Sequence, residues 1–84
     1  MSAAILPFPR FRDRRFIRRH AENMAMAATT AKAEAHLQRQ LNIQRETLER
    51  RGIEPRRVMA ELMATEGHIR AACWTLLLAP GGVA

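Results

Sequence analysis

Apolar side chains fall at helical spacing in three stretches of this chain, separated by residues that stop and restart helices. Phe16, Ile17, Ala21, Met24 and Ala28 recur at close to the helical period, within residues 11–28 that contain neither proline nor glycine, which predicts a first helix there. Ala33, Leu37, Leu41, Gln44 and Leu48 share one face of a second stretch, predicting a helix over residues 31–51 with a polar glutamine in its apolar seam. Between the two lies Thr29-Thr30, whose hydroxyls can accept the free amides of a new helix. The reading is a break or bend at that point, with one continuous helix as the alternative.

Gly52 follows Arg50-Arg51, and Pro55 follows three residues later. Glycine takes the left-handed conformation that ends a helix, while proline fits the first turn of the next because its missing N–H has no partner there. Gly52-Ile53-Glu54-Pro55 therefore predicts a tight connection and an antiparallel helical hairpin. The third helix is expected over residues 55–78, ended by Pro80-Gly81-Gly82, with residues 79–84 as a tail. Val58, Leu62, Thr65, Ile69, Cys73 and Leu76 mark one strip of it, and Met59, Met63, Arg70, Trp74 and Leu77 a neighbouring strip. An apolar arc this wide contacts two other helices or leaves a surplus for dimerisation. At the other end, Pro7 and Pro9 rule out a regular helix, so residues 1–10 are expected to run extended. Ile5, Leu6 and Phe8 are its candidate anchors, packed on the protein's own helices or docked on a partner; a disordered tail is the third reading.

The expected fold is thus all-α, a helical hairpin with an N-terminal helix packed across it, in a single domain. Eighty-four residues suffice for one small domain, and 48% hydrophobic with 26% charged residues is a balance that folds. Cys73 is the only cysteine, so it forms no intrachain disulfide, and a reducing, cytoplasmic compartment is the simplest expectation. No transmembrane segment is expected, because the longest apolar run, residues 76–79, is far short of the ~18 residues a span requires. The arginines near the N-terminus follow the apolar residues rather than preceding them, unlike a secretory signal.

Charge is the most informative functional feature. Residues 8–20 hold six arginines against Asp13, a formal +5, whereas the whole chain carries +6. Arg10, Arg12, Arg14, Arg15, Arg18 and Arg19 form a candidate anion site, since guanidinium groups bind phosphate bidentately. Candidate partners are nucleic acid, an acidic protein surface or an anionic membrane surface; a merely solvated face is the fourth reading. A DNA-reading helix-turn-helix is disfavoured, because the only sharp turn joins two long helices that both look committed to packing. Binding through backbone phosphates, with little base selectivity, fits better. His20, beside the arginines, is expected to add positive charge at mildly acidic pH.

No catalytic apparatus is expected. His68 and Cys73 are five residues apart, on different helical faces, and so are Glu61 and Glu66. Cys73 lies in an apolar stripe, where a thiol is usually buried and inert. No metal or cofactor site follows from these residues. His36 reads as a surface or interhelix hydrogen-bonding residue, and the methionines as core filling rather than a peptide groove. Arg45 with Glu49, and Glu46 with Arg50, are spaced to pair one turn apart.

Leu6-Pro7-Phe8-Pro9 before an arginine-rich helix, His36-Leu37, Gln44, Leu48-Glu49-Arg50-Arg51-Gly52, Ile69-Arg70-Ala71 and Trp74 before Pro80-Gly81-Gly82 resemble a family of short alphaproteobacterial proteins of rhizobial type, a domain of unknown function. The resemblance implies a bacterial, cytoplasmic, helical protein and no particular reaction or ligand. The sequence thus favours a non-catalytic binding protein that associates with nucleic acid through its basic helix. The alternative is a small structural or adaptor protein that homodimerises, or docks a protein partner, through apolar helix faces and the N-terminal segment.

Overall fold

The computed structural model describes residues 9–80. The described chain is all-helical: a 3-10 turn at Arg10–Arg12, then α1 (Arg14–Ala25), α2 (Thr30–Arg50) and α3 (Pro55–Leu78). The anchors Ile5, Leu6 and Phe8 lie outside the described residues. Pro9 is extended, but Arg10 already belongs to the 3-10 turn.

Local hydrogen bonds explain these boundaries. The Asp13 carboxylate accepts the backbone N–H of Phe16 at 3.1 Å, which caps α1 and starts it at Arg14 rather than at Phe11. The last turn of α1 tightens as the N–H of Ala27 donates to the carbonyl of Met24, so Ala28 lies beyond the helix and is exposed. The hydroxyl of Thr29 then accepts from the N–H of Lys32 at 3.1 Å and opens α2, which makes α1 and α2 separate helices. At the far end of α2, Gly52 has φ of +76°, its N–H donates to Glu49 and the N–H of Ile53 donates to Leu48. This is the paired arrangement that satisfies the last free carbonyls of a helix and ends it. Pro55 begins α3.

The core is built from Phe16, Ile17, Ala21 and Met24 of α1, Leu37, Leu41 and Leu48 of α2, and Val58, Leu62, Ile69 and Cys73 of α3. Thr65 is buried among them, and its hydroxyl donates to the carbonyl of Glu61 at 2.8 Å, so that hydroxyl is not stranded. α1 packs on both long helices and most extensively on α3. Arg70 of α3 donates two hydrogen bonds to the Glu34 carboxylate of α2, at 2.7 and 2.8 Å, joining the start of α2 to the later half of α3. Only one of the two apolar strips of α3 is covered: Met59, Met63, Trp74 and Leu77 are exposed. The described chain measures 49 × 22 × 15 Å, so its core is one side-chain layer deep.

Candidate functional site

All six arginines of the basic segment are exposed. The segment is rigidly mounted, because Phe16, Ile17, Ala21 and Met24 face the core from the opposite side of α1. Ahead of α1, the Phe11 ring stacks on His68 of α3 at 5.8 Å and ties the 3-10 turn to the helix behind it. The Arg10 guanidinium lies 4.7 Å from the centre of the Phe16 ring and 3.3 Å from the Asp13 carboxylate. Arg12 and Arg19 lie over the rings of Phe11 and Phe16, at 5.6 and 6.0 Å. Arg18 pairs with Glu22 at 3.0 Å. Arg14 and Arg15 form no ion pair among the described residues and present uncompensated charge.

Beside this segment is a cleft of about 350 Å³, walled by Arg10, Asp13 and Phe16 on one side, Gln40, Gln44 and Arg51 of the α2 end on another, and Arg57 with Glu61 of α3. Arg51 and Arg57 thereby share a surface with Arg10, some forty residues away in sequence. Gln44 is only 8% exposed, and its Oε1 finds no hydrogen-bond partner among the described residues. The seam glutamine is thus a buried amide at the cleft wall whose oxygen is unpaired among the described residues.

His20 does not extend the cationic surface. It is 7% exposed, packs edge-on to Phe16 at 4.5 Å, and its Nδ1 lies 2.9 Å from Nε2 of His36 on α2. Burial, with the charges of His36, Arg19 and Arg10 in support, lowers its pKa to about 4, so the ring is neutral where the sequence suggested a cation. Burial, then Arg39, lowers His36 as well. One imidazole must donate and the other accept, so this is an interhelix hydrogen bond of neutral rings.

Over residues 1–84 the chain matches a family of unknown function, DUF6074. It belongs to that family. No curated protein and no solved structure matches it. In this DUF6074 protein Cys73, Glu34 and Glu66 are engaged within the fold. The Cys73 thiol is buried, and burial, then Glu34, raises its pKa, which disfavours the thiolate. Glu66 accepts from Arg70 at 3.0 Å, and the hydrogen bond from Arg70 holds the Glu34 carboxyl below its usual range. Arg45 donates to Asn42 at 2.9 Å and Arg50 to Thr47 at 3.5 Å, in place of the Arg45–Glu49 and Glu46–Arg50 pairs that their spacing suggested. Among the described residues no group of histidine, cysteine and carboxylate side chains could hold a metal ion, and no helix is long and apolar enough to cross a membrane. A second groove, of about 370 Å³, runs between the α1–α2 connection and the end of α3, lined by Ala28, Ala33, Arg70 and Trp74.

Proposed function

We propose that this DUF6074 protein is a non-catalytic, cytoplasmic bacterial binding protein that holds the phosphate backbone of nucleic acid on its arginine surface. The carrying observation is that Arg14, Arg15, Arg18 and Arg19 are all exposed on a helix whose other face is core, with Arg12 exposed on the turn just ahead of it, so the backbone that carries the charges is fixed in place. Arginines on a fixed backbone lose less freedom on binding than those of a disordered tail, and their bidentate geometry suits phosphate. Arg51 and Arg57 around the cleft widen the surface beyond the basic segment. In this reading α2 and α3 form an antiparallel hairpin and α1 lies across it as the contact helix. Nothing in the surface selects among bases, so the binding is weakly sequence-dependent.

Fluorescence anisotropy of labelled duplex DNA and single-stranded RNA at about 50 and about 200 mM salt tests the proposal. Five phosphate contacts predict an affinity loss of roughly two to three decades across that range. Replacing Arg12, Arg14, Arg15, Arg18 and Arg19 with glutamine should abolish both the binding and its salt dependence while leaving helicity intact. No binding to either polymer at low salt and micromolar protein overturns the proposal. The adaptor reading is favoured by a separate observation, the uncovered apolar strip of α3.

A further inference from the structure

The uncovered strip of α3 has a regular composition. Arg56, Ala60, Met63, Gly67, Arg70, Trp74 and Leu77 are spaced alternately four and three residues apart, the 3.5-residue period of a helix seam that faces another helix. Met59, Met63, Trp74, Leu77 and Leu78 keep between 46% and 76% of their surface exposed, while Ala60, Gly67 and Ala71 between them are exposed and small. Its one central charge is already satisfied, because Arg70 is bound to Glu34 and Glu66.

Gly67 supplies the second observation. Glycine in the middle of a helix weakens it relative to alanine. Nothing among the described residues compensates: a β-carbon at Gly67 would meet no atom of another element or side chain within 4 Å, and the residue is helical rather than left-handed. The space kept open at Gly67 therefore serves no contact among the described residues.

We infer that α3 is the interface of a homodimer, in which two copies cross antiparallel about a twofold axis at Gly67. Antiparallel pairing centred there sets Gly67 against its own copy, Met63 against Ala71 and Trp74 against Ala60, so the two large side chains nearest the axis each meet a small one, while Met59 falls opposite Thr75 and Leu77 and Leu78 fall opposite the aliphatic stems of Arg57 and Arg56. The stripe is complementary to itself, as an isologous interface requires. At about 150–250 Å² for a large side chain, the exposed stripe amounts to roughly 600 Å². Burying all of it in two copies would remove at most about 1,200 Å² from water, the lower edge of the range for a stable interface. The basic segment, residues 10–19, takes no part in the contact; Arg57, which lines the cleft and falls opposite Leu77 in this register, is where the two surfaces adjoin.

Sedimentation or light scattering of the full chain from about 1 to about 100 μM reads the outcome, with the emission of Trp74, the only tryptophan, as a local probe. The expected result is a mass of twice 9.6 kDa at the upper end, with Trp74 emission shifting to the blue as the dimer forms. Gly67→Leu adds apolar area and a better helix former, so it should keep or raise helicity yet weaken the dimer at least tenfold. Met63→Glu should do the same without crowding the axis. Ala60→Trp and Trp74→Ala should each weaken the dimer, and the double variant, which exchanges the two sides of one contact, should restore it. A monomer with water-like Trp74 emission at 100 μM overturns the inference. So does a dimer that Gly67→Leu strengthens, or one that the exchanged pair fails to restore.

Discussion

At the scale of single residues, the buried histidine pair makes stability depend on pH. His20 has its pKa lowered from an ordinary 6.5 to about 4 by burial, His36, Arg19 and Arg10, whereas in the unfolded chain it titrates normally. Between those values the unfolded state binds the extra proton. Stability is therefore complete above about pH 6.5 and declines as the pH falls toward 4, with His36 acting in the same direction. At pH 5 the loss relative to pH 7.5 should be about 2 kcal/mol, read from urea unfolding, and His20→Leu should flatten the dependence. The sequence offered a hydrogen bond between helices as one role for His36 but misassigned His20, because proximity to arginine along the chain says nothing of which side of the helix a ring occupies. His20 lies one turn after Phe16 and four before Met24, on the apolar side, and that periodicity was the available signal.

Among the elements, the connections carry the most specific chemistry. Gly52 at φ +76° tolerates no β-carbon without strain, so Gly52→Ala should cost about 1 kcal/mol in thermal unfolding monitored by circular dichroism. Asp13→Ala should cost a similar ~1 kcal/mol by leaving the Phe16 amide unpaired, whereas Asp13→Asn, which still caps, should cost little. The turn at residues 52–55 and the extent of α3 were legible because glycine and proline have few permitted roles. The start of α1 was not. Asp13 registered as a counter-charge to the arginines, although an acidic residue three positions before Phe16 is also a capping pattern. For α3, two adjacent apolar strips were legible, but an arc of apolar positions cannot say which strip the neighbouring helices cover.

For the whole molecule, the informative relation is the one that joins Arg51 and Arg57 to Arg10 across a single cleft. No local pattern reveals it, since it depends on how α1 is laid against the ends of α2 and α3. If the surface acts as one, Arg51→Gln and Arg57→Gln should each lower the slope of log affinity against log salt by ~1 in the anisotropy titration, as removal of a phosphate contact does. Arg39→Gln, away from the cleft, should leave the slope unchanged. The charge asymmetry itself was legible from the first twenty residues, and it remains the main guide to partners. The structure adds that α1 carries the exposed arginines on one side and Phe16, Ile17, Ala21 and Met24 on the other, over a core only one layer deep. Contact surface and fold are then a single thermodynamic object. A polyanion bound only by the folded chain, at a hundred times its dissociation constant, would hold that fold by about 2.7 kcal/mol. On the proposed function the melting temperature would serve as a binding assay in itself, and withdrawing the polyanion would expose the chain to proteases.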